Sequence, residues 1–373
     1  MKLLALAGDI RATIAGIRLV QPLQALAAEA GEHELRLRSL HECTPADLAW
    51  ADVLILQRPI TERAWRLQAS MQAQGAPVLV DIDDLLTEPA PTLTHRAALE
   101  AGQRWLRAAL AAADGVTVST ARLGRALAPF VRAWHEVPNH GVPGPLEAPP
   151  PRQGAWPTLL LASSDHAPTA AIAEALRTVQ RQAPGPRLVA VGPVAADLSA
   201  AGVRVEAQPL RPRAEFLAWV QTLPGAVALV PLGDTAFDAC KSAIKYFDFA
   251  LCGVPVLASA RPPYSDVVVD QQTAWLVPET VAGWHAALLR ARDDPQALAR
   301  LAAAARDDVA ARFTLAHSVR AWGALLTTLP ARRTAVAPPA GFRAWIGQAM
   351  VRLRQANRGR LERRNARGRD GSV

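Results

Sequence analysis

A doubly wound α/β fold, built twice, is what this sequence predicts, and three observations predict it. Strand-like apolar runs alternate with helix-like stretches along most of the chain, the pattern of a parallel sheet covered by helices on both faces. The two halves open alike: "LLALAGD" ends its strand in Ala7-Gly8-Asp9, and "TLLLASSD" ends in Ser163-Ser164-Asp165. Between them runs "VPNHGVPGPLEAPPPRQGAWP", residues 137–157, whose seven prolines remove amide donors and fix φ, so that it reads as a stiff linker.

In order along the chain, the first half predicts strands at 3–7, 35–39, 53–56, 77–81 and 116–119. The second half predicts them at 158–162, 187–191, 203–206, 226–230 and 254–258. The organisation that follows is a first Rossmann-like domain at 1–140, a proline-rich linker at 141–157, a second Rossmann-like domain at 158–330 and a basic tail at 331–373. Gly8 and the Ser163-Ser164 pair are small residues at carboxyl ends of strands, where a ligand can approach the backbone of an open α/β sheet. The two serines also suit capping of the helix that follows them.

Composition narrows the function classes. The chain has 373 residues, half of them hydrophobic, enough for two cores. Cys43, Cys240 and Cys252 are an odd, scattered set without CxxC spacing, which argues against a disulfide framework and a structural zinc site. The apolar run after Met1 is short for a signal peptide, and no window approaches the ~18 apolar residues of a membrane span, so the expected location is the cytoplasm. A net charge of +8 suggests a polyanion until it is divided. Beyond Ala331 eleven arginines face only Glu362 and Asp370, a net +9, leaving residues 1–331 near −1.

Lysine is rare here, three residues against 38 arginines, yet Lys241 and Lys245 stand four apart in "DACKSAIKYFDFALCGVPVLAS". Pro231 and Gly233 break the preceding strand, and the spacing of Ser242, Ile244, Phe247, Ala250 and Leu251 predicts a helix that Gly253 stops. That places Lys241 and Ser242 at a helix N-terminus, where free amides and the helix dipole favour a phosphate, with Lys245 one turn on reaching the same anion. Asp248 lies on the neighbouring face, where a carboxylate can accept from sugar hydroxyls. Two lysines so spaced also make an ordinary solvated helix face; the scarcity of lysine, the small-residue loop and the G-V-P-V turn favour the anion site.

This stretch, continued by "YSDVVVDQQTAWLV", resembles the donor-binding signature of GT-B glycosyltransferases of family 4 (glycosyl transferases group 1), in the branch with a Lys-Ser pair. "VGP" at 191–193, "VPN" at 137–139 and "DIDD" at 81–84 extend the resemblance over most of the chain. It implies two domains facing a cleft, a nucleotide-diphosphate sugar as donor, no required cofactor or metal, and retention of anomeric configuration. It implies that Asp248, five residues before Gly253, holds the donor ribose, and that Gly192 lies in the donor site. The family's second glutamate is replaced by Cys240, and Asp238 stands in for its sugar contact.

On the facing wall "PVLVDIDDLLTEP" runs a buried strand into Asp81, Asp83 and Asp84. Asp83 and Asp84 are the candidates for handling an acceptor hydroxyl, or for a general base if transfer inverts. Asp81, which begins the turn, reads as a helix cap or an arginine's partner. "DID" formally fits a metal-binding D-x-D, discounted because the enzymes that use it lack two matched halves. Arg18 and Arg58, after the first and third strands, resemble arginines that the branch carries near the cleft. His95, His140 and His166 show no ligand spacing or partner and read as loop histidines.

In the tail, Phe342, Trp345, Ile346, Ala349, Met350 and Leu353 recur at helical spacing with arginines opposite. That is the pattern of an interfacial helix, so 341–369 would attract an anionic membrane surface, and a lipid-linked or other glycan acceptor would suit a peripheral place on the inner membrane. The same stripe would equally pack on the protein itself. Nucleic acid is disfavoured because the terminal arginines lack interleaved aromatics. The functional expectation is therefore a hexosyl transfer in bacterial surface glycan assembly. A sugar-nucleotide epimerase or a non-catalytic nucleotide-sugar-binding scaffold are the rival readings.

Overall fold

The computed structural model describes residues 1–142, 149–165, 170–182 and 185–329. Two six-stranded sheets form the framework, and all their pairings are parallel. The first comprises β1 (Lys2–Ala7), β2 (Glu34–Ser39), β3 (Val53–Gln57), β4 (Val78–Ile82), β5 (Gly115–Val118) and β6 (Trp134–Glu136), in the order β2-β1-β3-β4-β5-β6. The second comprises β7 (Thr158–Ala162), β8 (Leu188–Val191), β9 (Glu206–Gln208), β10 (Ala226–Val230), β11 (Val256–Ser259) and β12 (Trp275–Val277), in the order β12-β11-β10-β7-β8-β9. Every residue of β3, β4 and β10 is buried, because helices cover both faces, which is why these strands read as largely apolar runs.

These orders fix where ligands can sit. Strand order reverses between β1 and β3 in the first sheet and between β7 and β10 in the second, and the crevice outside the carboxyl ends at such a reversal is a binding site. Gly8 and Arg58 follow β1 and β3, and Ser163 follows β7.

Three strands depart from expectation, all at sheet edges. The run expected at 203–206 pairs only at Glu206–Gln208, while Val203 turns into the core. Trp134–Glu136 and Trp275–Val277 were not anticipated. A three-residue edge strand is held by its single neighbour, so it carries too little local pattern to be seen.

The residues just before the expected boundary at 330 pack on the first domain. The helix Leu315–Thr328 returns to the first domain, where Val319, Trp322 and Leu326 pack with Leu3, Leu19 and Leu23. Trp322 Nε1 donates to the Arg18 carbonyl at 3.1 Å. Residues 149–157 form neither helix nor strand, as a proline-rich linker should; the basic tail 331–373 and its amphipathic stripe lie outside the described residues.

The second domain is sealed onto the first. Phe237 and Cys240, from the short helix Ala236–Ala239 after β10 and its C-cap, are buried in the first domain's cluster with Ile82 and Leu85. Around this plug Thr120 Oγ1 donates to the Cys240 carbonyl at 3.2 Å, Arg122 grips Asp266 with two nitrogens at 2.9–3.1 Å, and Thr94 donates to Asp165.

Candidate active site between the domains

At the first sheet's edge, the backbone of Arg58 turns left-handed (φ 45°) immediately after β3, a conformation that costs a non-glycine residue about 1–3 kcal/mol. The turn swings its guanidinium across the end of β4. There Nε and Nη2 meet the two Asp83 oxygens at 2.5 Å each, and Nη2 also reaches Asp84 at 2.9 Å. Asp83 is nearly buried, whereas Asp84 is 24% exposed. Burial pushes the Asp84 carboxyl up to about 6, the adjacent Asp83 adds to the rise, and Arg58 opposes it. Gly8 is exposed, and a Cβ there would meet nothing within 4 Å.

Arg18 is placed differently from expectation. It is 1% exposed and lies behind the cleft wall, with Nη2 on fully buried Asp81 at 2.6 Å. Thr117 Oγ1 and Gln57 Nε2 complete the Asp81 shell at 2.7 and 3.1 Å. Arg18 Nη1 donates to the Val137 carbonyl and, at 3.0 Å, to Asn139 Oδ1. A buried charge persists only when paired and hydrogen-bonded, so Arg18 supports the site from below.

Opposite, β7 ends at Ala162 and β8 at Val191. Gly192 has φ 85°, and a Cβ on it would stand 2.2 Å from the Ser163 carbonyl, so only glycine lets these strand ends converge. Ser163 Oγ accepts from the Asp165 amide at 3.3 Å, and Asp165 in turn accepts from Thr94 Oγ1 at 3.0 Å across the cleft. Residues 166–169 lie outside the described set, so the expected serine cap on the next helix, Ala170–Gln180, lies there too.

The lysine motif is rearranged by one detail. Its helix spans Ile244–Leu251, with Ala243 at the N-cap and no side-chain cap, so Lys241 and Ser242 sit in the connector before it. The i, i+4 relation therefore fails, and the two lysines do different things. Lys245 Nζ donates to the Ala162 carbonyl at 2.8 Å; burial, with the charge of Lys241, lowers its ammonium to about 8. Lys241 instead lies 3.5 Å from Asp238 and over the Phe237 ring at 5.0 Å. Asp238 is 4% exposed and also takes the Thr235 hydroxyl at 2.7 Å, so its carboxylate is engaged locally rather than offered to a sugar. Ser242 Oγ accepts from Asn139 Nδ2 at 2.7 Å.

Asp248 is likewise paired. Arg213 Nε donates to it at 3.0 Å, and Nη2 donates both to Asp248 and, at 3.0 Å, to the His140 carbonyl. Burial raises the Asp248 carboxyl while Arg213 lowers it. Among the described residues, Arg213 Nη1 is buried with no hydrogen-bond partner. His140 is no loop histidine: it is 2% exposed and bonds Gln21 at 2.8 Å and Ser318 at 3.2 Å.

Ser163, Ser164, Lys245 and Asp248 line one cavity of about 240 Å³, to which the first domain contributes Thr13 and Ile17. Lys241 and Ser242 line a second cavity, about 330 Å³, with Asn139 and Glu136. A third cavity, about 640 Å³, opens at the start of β10 among prolines 149–151 and alanines, and none of these groups lines it. Among the described residues no group of three or more His, Cys, Asp or Glu is arranged to hold a metal ion, and no helix is long and apolar enough to cross a membrane. The first cavity thus combines an ammonium, hydroxyls and an acid–arginine pair at a sheet's reversal point, which suits a phosphorylated polyol.

Sequence reasoning missed Thr94, Asn139, Asp165 and Arg213. Arg213 is one arginine among 38, and Asp165 was read only as the end of a strand motif, so neither carried a distinguishing local signal.

No protein-family model and no curated protein matches the chain. Solved structures do. Sucrose-phosphate synthase from Thermosynechococcus elongatus is 17% identical, with 88% of this chain and 98% of that one covered and a TM-score of 0.63. HepE from Anabaena, solved with UDP-glucose, is 17% identical over 88% of this chain and 100% of that one, with a TM-score of 0.60. A TarM variant from S. aureus, solved with fondaparinux, α-GlcNAc-glycerol and UDP, is 12% identical over 74% of this chain and 55% of that one, at 0.57. The chain has the GT-B fold, two Rossmann-like domains facing a cleft.

Proposed function

We propose that this GT-B protein moves a hexosyl group from a nucleotide-diphosphate sugar to an acceptor hydroxyl, with the donor in the cavity that Thr13 and Ile17 line together with Ser163, Lys245 and Asp248. The observation that carries this reading is the half-buried Lys245 ammonium, held at the carboxyl end of β7 beside an interdomain cavity. HepE and TarM were solved with UDP-glucose and UDP, which supports a uridine diphosphate as the first donor to try.

In this reading Lys245 neutralises the leaving diphosphate as its charge develops, and the uncapped helix start at Ile244 adds its dipole. Lys241 contributes at longer range from its place beside Asp238. The Asp248–Arg213 pair receives the ribose, its carboxylate accepting and its guanidinium orienting. Across the cleft Asp84, less exposed to Arg58 than Asp83 is, handles the acceptor hydroxyl, and Asp83 with Arg58 fixes that corner. Retention, independence of metal, a role in bacterial surface glycan assembly and a peripheral membrane place follow the family resemblance and the basic tail. The non-catalytic alternative draws on the prior engagement of Asp238 and Asp248.

The test is a thermal-shift panel of UDP-, GDP-, ADP- and dTDP-sugars, followed by donor hydrolysis with Lys241→Ala and Lys245→Ala. A stabilising donor whose hydrolysis drops in Lys245→Ala supports transfer. Unchanged turnover in both variants removes the reading, and binding without turnover favours the scaffold.

A further inference from the structure

A continuous buried line of hydrogen bonds joins the first sheet to the connector before the Ile244–Leu251 helix. It starts at Asp81 in β4, passes through Arg18 at 2.6 Å, reaches Asn139 Oδ1 at 3.0 Å and ends where Asn139 Nδ2 meets Ser242 Oγ at 2.7 Å. Asp81, Arg18 and Asn139 are 0%, 1% and 4% exposed. The direction of each bond is dictated. A guanidinium only donates, so Asn139 must turn its carbonyl oxygen to Arg18 and its NH2 to Ser242. The serine oxygen therefore accepts, which leaves its own proton to donate elsewhere.

The helix that carries Lys245 and Asp248 has no side-chain cap of its own; Ala243 is its N-cap. Its start is instead held from outside, by Asn139 on the neighbouring Ser242. Asn139 belongs to the segment where the chain leaves the first domain, and the next residue, His140, offers its carbonyl to Arg213, the partner of Asp248. The start of this helix and its Asp248 are thus set against two consecutive residues, of which Asn139 is seated on Arg18 and His140 on Gln21 and Ser318.

We propose that Asn139 is a positioning residue for the donor: by accepting from Arg18 and donating to Ser242 it sets the start of the helix that presents Lys245 to the diphosphate. A residue that orients others in this way fixes geometry that side chains on a free loop would lose. The inference rests on the donor reading given above, and its test separates the two.

The probe is whichever of UDP, GDP, ADP and dTDP stabilises the wild type most, titrated calorimetrically against Asn139→Ala, Ser242→Ala, Ser242→Thr, the double alanine variant and Lys245→Ala. Asn139→Ala and Ser242→Ala should each weaken binding about 5- to 10-fold. The double variant should be no weaker than the weaker single one, since both break one bond. Ser242→Thr, which keeps the hydroxyl, should stay within about twofold of wild type. Wild-type affinity in Ser242→Ala, or losses that multiply in the double variant, overturns the positioning role while a weakened Lys245→Ala keeps the donor site. Unchanged binding in Lys245→Ala, or no nucleotide binding at all, overturns both. If Asn139→Ala does not fold, the comparison of Ser242→Ala with Ser242→Thr decides.

Discussion

The ammonium of Lys245 donates to the carbonyl of Ala162, the last residue of β7, at 2.8 Å. One carbonyl satisfies a single one of its three donors, and the environment disfavours its charge: burial and Lys241 hold it down at about 8. An incoming diphosphate relieves that conflict. The charge is present below about pH 8 and lost above it, so nucleotide affinity should fall as pH rises through 8. Lys245→Ala should lose about 10- to 100-fold in affinity, the worth of a charge-assisted hydrogen bond, and flatten the pH dependence. Lys245→Met should lose binding yet melt higher than wild type without nucleotide near pH 7, because a lowered folded value means that the charged form is disfavoured by folding. Calorimetric titration from pH 6 to 9.5 and melting curves check both.

Asp84 presents the opposite sign. Its raised value, about 6, means that the protonated form is favoured by folding. The stability it contributes is complete below the ordinary carboxylate range and is lost as pH rises through 6. Asp84→Asn should therefore match or exceed wild-type stability at pH 7 while lowering sugar transfer at least tenfold, on the scale of lost acid–base assistance. Nucleotide affinity should stay within about twofold, because Asp84 lies on the wall opposite Lys245. A variant that transfers at the wild-type rate removes Asp84 from the reaction.

Arg18 and Asp81 form a pair almost wholly out of water. Arg18→Met leaves the aspartate uncompensated and unseats Val137 and Asn139, so urea unfolding should show a loss of about 3–5 kcal/mol. Adding Asp81→Asn should recover part of it. A double variant as unstable as the sum of the singles would show that the two charges are not coupled.

Burial lowers His140 to about 4, with Arg213 and Arg18 adding to the effect. A depressed histidine supplies stability that is present above its ordinary value near 6.5 and lost as pH falls through 4, up to about 3 kcal/mol. His140→Gln should flatten the acid limb of a stability curve measured between pH 7 and 4. An acid limb as steep as that of the wild type would exclude His140 as its origin.

Most of the framework was legible in residue order, and the reasons are local. Nine of the ten expected strands lie within two residues of their observed bounds, because central strands of a parallel sheet bury both faces and read as apolar runs. The carboxyl-edge residues Gly8 and Ser163 were legible because a strand's end marks its ligand-facing edge, whereas Arg58 and Gly192 were found through the family resemblance. The lysine motif was found but misassembled. Helical periodicity located Phe247, Ala250 and Leu251, yet it could not show that the helix waits until Ile244, beyond a Ser242 that bonds Asn139 from a hundred residues away.

Sequence alone determined that there are two doubly wound halves and which strand ends carry small or charged residues, since those properties depend on neighbours along the chain. Tertiary structure alone decided which charges are already spent: Arg18 on Asp81, Asp238 on Thr235 and Lys241, Asp248 on Arg213. It also decided that the helix Leu315–Thr328 crosses back to the first domain. The physical reason is common to both. Desolvation forces every buried charge or apolar face to find a partner, and the nearest partner in space is selected by the packing of the sheets rather than by distance along the sequence.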